Sequence, residues 1–183
     1  MLIDSLQRHL AICAQNDLPK IAKADSGFWN VISIREPERQ KIQSHGFKRI
    51  HTVICYDIIG VAGVEESQSG APREEQLEAI FQFIDTIPQE PILVHCWAGV
   101  PRSTAVALVI MIREMHRDGF TRIEIIEQAP EILLQIRPKA APNPLMLELG
   151  LAQFLPPKEA RKLKEELLNH PGLHRNRVEA SQW

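Results

Sequence analysis

One stretch constrains the fold more than any other, residues 92 to 104, which read Ile-Leu-Val-His-Cys-Trp-Ala-Gly-Val-Pro-Arg-Ser-Thr. An apolar run ends in His95-Cys96, a short loop containing Gly99 follows, and residues 104–117 then space their apolar side chains as a helix does. Loop N–H groups and a helix N-terminus both attract negative charge. The stretch therefore predicts a strand that turns into a helix at a site for an anion.

Cys96 and Arg102 carry the chemistry that this arrangement predicts. A cysteine at a helix N-terminus is stabilised as the thiolate, which is a nucleophile at neutral pH. The planar guanidinium of Arg102 fits two oxygens of a phosphate. Ser103 can donate a hydrogen bond to the sulfur, and it also suits a plain helix cap. The residues thus predict a thiolate that attacks phosphorus while loop amides and one arginine hold the phosphoryl oxygens.

The segment His95-Cys96-x5-Arg102-Ser103 resembles the signature of the cysteine-dependent protein phosphatases. The compact length and the run Arg137-Pro138-x-Ala140-x-Pro142-Asn143 are similar to the dual-specificity branch, and His-Cys-Trp-Ala-Gly-Val is similar to a small bacterial group of tyrosine-phosphatase-like proteins. The resemblance runs from residue 50 to residue 154. It implies a loop that binds phosphate, sulfate or vanadate, formed by His95, Trp97, Ala98, Gly99, Val100 and Pro101.

The resemblance also implies a general acid on the loop after the preceding strand. Asp57 ends the predicted strand over residues 50–56 and opens a long loop with three glycines. A shorter spacing to the cysteine, as in many dual-specificity enzymes, points instead to Glu66. Asp57 is preferred because a strand end fixes its position, and Glu66 is the alternative. The alternative that Asp57 only caps the end of the strand also stays open.

The function predicted from these residues is hydrolysis of a phosphomonoester, on a phosphorylated protein or a small molecule, through a phosphocysteine. The alternative is a pseudophosphatase that binds phosphorylated partners and turns over poorly, because Pro101 has no N–H to offer the phosphate. Trp97 either lines the mouth of the pocket or only packs against neighbouring side chains. A phosphoinositide or nucleotide phosphatase is disfavoured, because the loop contains no cation before Arg102.

Composition narrows the remaining possibilities. A net charge of −2 disfavours nucleic-acid binding. No apolar run approaches about 18 residues and the start lacks a basic segment, so neither a membrane span nor a signal peptide is expected. The three cysteines form no CxxC pair and the seven histidines have no metal-ligand spacing, so the sequence predicts no zinc site and no other metal or cofactor. An unpaired reactive cysteine suits a reducing cytoplasm. Cys55 is predicted to be structural, with a resolving thiol for Cys96 as the alternative.

Periodicity predicts a single domain over residues 1–170 and a polar, flexible tail over residues 171–183. Strands are predicted at 28–34, 50–56 and 92–95, the last in the middle of the sheet because it is apolar throughout. Helices are predicted at 4–15, 37–44, 73–86, 104–117, 123–128, 131–136, 144–155 and 157–169. The fold class is therefore α/β, with a small central, mostly parallel sheet flanked by helices, as in dual-specificity phosphatases.

Overall fold

A computed structural model describes residues 2–3, 8–39, 41–43, 45–58 and 70–180. Its sheet has the strand order β1-β2-β5-β3-β4. These strands are β1 (Leu2–Ile3), β2 (Arg8–Ala14), β3 (Asn30–Arg35), β4 (Arg49–Ile54) and β5 (Ile92–Cys96). β1 runs antiparallel to β2, and the other pairs are parallel. The predicted α/β class with a mostly parallel sheet is confirmed.

Helices cover both faces of this sheet. They are α1 (Leu18–Ala24), α2 (Glu74–Asp85), α3 (Pro101–Arg117), α4 (Arg122–Ile136), α5 (Pro144–Leu151), α6 (Pro157–Leu168) and α7 (Pro171–Ala180). Leu18 of α1 packs with Val31 and Leu93 on one face. The larger core on the other face contains residues of α2 to α7. Among the described residues, none of the helices has the length and apolar character needed to span a bilayer.

β5 is the central strand, with β2 on one side and β3 on the other. All five of its residues are buried. Ile92, Val94 and Cys96 belong to the larger core while Leu93 belongs to the smaller one, as alternation along a strand requires. The predicted central position is therefore correct, and it delivers Cys96 to the carboxyl edge of the sheet, where its neighbours also end.

The helix predicted over residues 4–15 is wrong. Within its described part, Arg8–Ala14 is strand β2, which pairs with β5 from Leu10↔Ile92 to Ala14↔Cys96. Leu10 and Ile12 face the larger core and Cys13 the smaller one. In so short an apolar run, alternation and a helical period overlap, and pairing with β5 decides between them.

Two further predictions of helices are wrong. Residues 37–39 and 41–43 form no helix where a polar one was predicted at 37–44. The two short helices predicted around Pro130 are one continuous helix, α4. A proline inside a helix removes a hydrogen bond and usually ends it. Here Ala129, Pro130 and Leu133 are all buried, and this packing holds the helix together through the proline.

α7 occupies most of the segment predicted as a polar tail. Its Gly172 and Leu173 are buried. Asn176 donates from Nδ2 to the carbonyl oxygens of Pro138 and Ala140, both at 2.9 Å. Residues 181–183 lie outside the described part of the chain, and the domain boundary at residue 170 stays a prediction.

Candidate active site

The loop between β5 and α3 is short and held close to the sheet. Cys96 ends β5, and α3 begins at Pro101, so four residues make the turn. Gly99 has a φ of +65°, and a Cβ there would lie 2.5 Å from the backbone carbonyl carbon of Cys13. The N–H of Gln15 donates to the Trp97 carbonyl at 3.2 Å. β2 thus braces the predicted strand–loop–helix turn.

Gly99→Ala should damage this turn specifically. The substitution adds left-handed strain, about 1 kcal/mol, to an overlap with the Cys13 backbone. Gly119→Ala is the matched control, because Gly119 has a φ of +85° with nothing within 4 Å of the added Cβ. We expect Gly99→Ala to lower the unfolding temperature more than Gly119→Ala and to weaken vanadate binding by about tenfold or more. Equal effects of the two variants would show that the loop does not need the close approach.

Cys96 and Ser103 lie together inside the protein. The Cys96 Sγ is 3.2 Å from the Ser103 Oγ, and both residues have no exposed surface. Ser103 is the third residue of α3, so the first turn of the helix brings its hydroxyl to the sulfur. The hydroxyl is thus within hydrogen-bond distance of the sulfur, and its assistance to a departing sulfur stays a prediction.

His95 is held by a partner on the neighbouring strand. Its Nε2 lies 2.8 Å from the Oγ of Ser33, which is the register partner of His95 between β3 and β5. Burial lowers the pKa of His95 to about 4, a hydrogen bond with the backbone of Cys96 opposes this, and the charge of Arg102 lowers it further. His95 with this pKa is neutral at physiological pH, and its contact with Ser33 joins β5 to β3 next to the loop.

Arg102 is buried, with 3% of its surface exposed. Its Nη1 donates to the Cys55 carbonyl at 2.7 Å, and its Nη2 donates to the Glu36 carboxylate at 3.0 Å. The Nε is also buried and has no hydrogen-bond partner among the described residues. A buried donor left unpaired is costly, so the position favours an incoming oxyanion.

Glu36 and Arg39 connect Arg102 to Trp97 of the loop. Glu36 follows β3 directly, and Arg39 lies three residues further along the chain. The second carboxylate oxygen of Glu36 accepts from the Arg39 Nε at 3.1 Å. The Arg39 guanidinium lies 3.8 Å from the centroid of the Trp97 ring, which is 42% exposed. The guanidinium of Arg39 therefore covers one face of the Trp97 ring, and whether Trp97 lines the mouth of a pocket stays a prediction. Sequence reasoning missed Glu36 and Arg39. Arg39 lies in the segment predicted to be a polar helix at 37–44, and Glu36 lies between that segment and the strand predicted at 28–34.

Asp57 lies beside the loop through Asn143. The Asn143 Nδ2 donates to the Asp57 carboxylate at 2.7 Å and to the Ile58 carbonyl at 2.9 Å. The Asn143 N–H donates to the Pro101 carbonyl at 3.0 Å, and its Oδ1 caps α5. One buried residue therefore links the candidate acid, through its side chain, to the start of α3, through its backbone N–H.

The pKa of Asp57 is raised above its ordinary value. Loss of surrounding water at the carboxyl group is the main cause, although Asp57 as a whole residue is exposed. The hydrogen bond from Asn143 and the charge of Arg102 oppose the rise, and Glu36 adds to it. A raised pKa keeps an acid protonated to higher pH, which suits a proton donor. Glu66, the alternative acid, lies outside the described residues.

The run from residue 137 to residue 143 packs against the loop, as the resemblance implied. The Arg137 Nη2 donates to the Ala98 carbonyl at 3.1 Å, and Asn143 contacts Pro101 as described above. Cys55 is buried, and burial raises the pKa of its thiol to about 12. Its carbonyl oxygen holds Arg102, so its backbone takes part in the site.

No protein-family model and no curated protein matches the sequence. Solved structures do match. The human tyrosine phosphatase-like serine/threonine/tyrosine-interacting protein has a TM-score of 0.50 at 19% identity, over 76% of this chain and 83% of that chain. DUSP15 has a TM-score of 0.50 at 20% identity, over 92% of this chain and 96% of that chain. The chain therefore has the fold of the dual-specificity and tyrosine phosphatases, and the resemblance read from the sequence is confirmed at the level of the fold.

Proposed function

We propose that the chain hydrolyses phosphomonoesters, as protein tyrosine or dual-specificity phosphatases do, through a phosphocysteine on Cys96. One observation carries the proposal: Cys96 and Ser103 lie 3.2 Å apart at the start of α3, next to a buried Arg102 whose Nε has no partner among the described residues. A nucleophile, an oxyanion donor and a helix N-terminus thus meet at one turn.

In the first half of the reaction, the Cys96 thiolate attacks phosphorus. A sulfur–phosphorus bond forms while the bond from phosphorus to the leaving oxygen breaks, and Asp57 gives its proton to that oxygen. Arg102 and the N–H groups of the loop hold the three remaining phosphoryl oxygens, where positioning and charge supply most of the catalysis. Glu36 and the Cys55 carbonyl fix the plane of the Arg102 guanidinium for this task.

In the second half, a water molecule attacks the phosphorus of the phosphocysteine. Asp57, now a carboxylate, takes the proton of that water, and the sulfur–phosphorus bond breaks. The Ser103 hydroxyl donates a hydrogen bond to the departing thiolate, for which its 3.2 Å approach to the sulfur is suited. Inorganic phosphate leaves and the thiolate is restored.

Hydrolysis of p-nitrophenyl phosphate tests the function. We expect turnover by the purified protein, unaffected by a chelator and inhibited competitively by vanadate, which would occupy the loop. A folded protein that binds vanadate but releases no nitrophenol would contradict a hydrolase and favour the pseudophosphatase. A protein that neither binds vanadate nor turns over would contradict both.

The pseudophosphatase is the second candidate, and Pro101 is the observation that favours it. Proline is the first residue of α3, so the helix begins without an N–H at the position nearest to Arg102. One donor aimed at developing charge is typically worth about 10²–10³ in rate. A chain of this kind would bind phosphorylated proteins without releasing phosphate at a useful rate.

Asp57→Asn tests the general acid. The leaving oxygen of phenyl phosphate needs a proton far more than that of p-nitrophenyl phosphate. We therefore expect the variant to slow phenyl phosphate by about 10²–10⁴-fold and p-nitrophenyl phosphate much less. In the wild type the rate should fall as pH rises through the raised pKa of Asp57, and the variant should lose that fall.

Glu66→Gln is the control for this prediction and should lower the rate of hydrolysis of both substrates only slightly. If Glu66→Gln shows the dependence on leaving group while Asp57→Asn does not, Glu66 is the acid. If neither variant shows it, no side chain of this pair supplies the proton, and the pseudophosphatase is favoured.

A further inference from the structure

Helix α7 lies outside the sequence resemblance but is fixed to the candidate site. Asn176 donates to the carbonyls of Pro138 and Ala140, within the run that packs on the loop. Leu173 is fully buried in the main core. Because residues 137–143 contact both the loop and α7, the position of the helix relative to Cys96 is set by direct hydrogen bonds.

A cavity of about 410 Å³ lies between α7 and the site. It is lined by Asp57, Pro101 and Asn143, which also belong to the site, and by His174 and Arg177 of α7. The rest of its wall is apolar and consists of Ala141, Pro142, Pro144, Val178 and Ala180. A ligand held in the loop would thus have a second, largely apolar surface beside its leaving group.

The α7 side of this cavity offers a cation. Arg177 is half-buried, and the ion pairs among the described residues include none to it. His174 lies three residues earlier on the same helix, so both side chains lie on one face. Among the described residues that line the cavity, Asp57 is the one carboxylate, and it belongs to the site. An acidic group that enters beside α7 would thus meet an arginine that forms no ion pair among the described residues.

We infer that this cavity binds the polypeptide segment beside the phosphorylated residue of a protein substrate, with an acidic side chain of that segment on Arg177. The inference rests on the proposed function and names its substrate class. The apolar wall suits a peptide side chain. A phosphorylated inositol headgroup would need several cations, whereas the cavity offers one arginine and one histidine.

Arg177→Ala and Arg177→Glu test the inference with phosphotyrosine peptides that differ only in carrying Asp or Lys at one flanking position. The wild type should prefer the Asp peptide in kcat/KM at one or more positions by about fivefold, the scale of an exposed ion pair. In Arg177→Ala the ratio of kcat/KM between the Asp and Lys peptides should fall to about one, and the change should lie in KM. Arg177→Glu should reverse it. Added salt should weaken the wild-type preference.

Arg175→Ala is the matched control, because Arg175 is an exposed arginine of α7 that does not line the cavity. It should keep the wild-type preference. The same comparison can be made without turnover, by measuring the binding of these peptides to Cys96→Ser with fluorescence anisotropy.

The outcomes separate this inference from the proposed function. Hydrolysis of p-nitrophenyl phosphate with no preference between the peptides, or with the same change in Arg175→Ala, overturns the inference and leaves the function standing. A larger effect of Arg177→Ala on a soluble inositol phosphate than on the Asp peptide overturns it in favour of a headgroup. A wild type that neither hydrolyses an aryl phosphate nor binds a phosphopeptide overturns both.

Discussion

Cys96→Ser should abolish turnover, by about 10⁴–10⁶-fold in kcat, while the protein stays folded and binds vanadate. The hydroxyl is a much weaker nucleophile than a thiolate at neutral pH. The substitution is small, and a serine at this position keeps a polar contact with Ser103, which lies 3.2 Å from the present sulfur. The loop and Arg102 are unchanged, so affinity for an oxyanion should remain. Thermal unfolding and vanadate binding check that only the chemical step is lost.

Cys13→Ala is the control for a general effect of losing a buried thiol. Burial raises the pKa of Cys13 to about 12, and Asp17 adds to the rise, so this thiol is protonated and unreactive. Its loss should cost stability without removing turnover. A Cys96→Ser enzyme that keeps more than a few per cent of wild-type activity would show that Cys96 is not the nucleophile.

Arg102→Lys should lower kcat by about 10²–10³-fold, although the charge is kept. Arg102 already donates to the Cys55 carbonyl and to Glu36, and its Nε, which has no partner among the described residues, is the donor proposed for a phosphoryl oxygen. A lysine ammonium has three donors on one nitrogen and cannot place them in this planar arrangement. Steady-state kinetics with p-nitrophenyl phosphate measure the loss, and a raised inhibition constant for vanadate should accompany it.

Arg137→Lys is the matched control, because Arg137 makes one hydrogen bond to the loop, at the Ala98 carbonyl. A lysine can replace a single donor, so the loss should stay below about tenfold. Near-normal kinetics of Arg102→Lys, or equal losses in the two variants, would show that the planar guanidinium of Arg102 does not hold the phosphoryl group.

The centre of the site could be predicted from the sequence because it is contiguous. Cys96, Arg102 and Ser103 lie within eight residues, and a strand followed by a helix places them by local geometry. Glu36 and Ser33 could not be predicted in this way. They reach the site through the pairing of β3 with β5. The register between two parallel strands that are far apart in the chain cannot be predicted from the sequence of either strand alone.

The errors in the fold have similar physical causes. β2 resembled a helix because its apolar residues satisfy both periods, and only its place beside β5 selects the strand. α7 looked like a polar tail because it buries only Gly172 and Leu173, too few apolar residues to mark a helix face. Asn176 docks α7 through hydrogen bonds to carbonyls of a distant loop, which leave no hydrophobic pattern.

A phosphoryl group on Cys96 during turnover is the central claim, and acid quenching tests it directly. The enzyme is mixed with p-nitrophenyl phosphate, stopped in acid within the first turnovers, and analysed by mass spectrometry of its peptides. We expect the mass of one phosphoryl group on the peptide that contains Cys96, absent from Cys96→Ser and lost again when substrate is exhausted. Nitrophenol release with no phosphorylated peptide, or with the phosphoryl group on another residue, would contradict the mechanism.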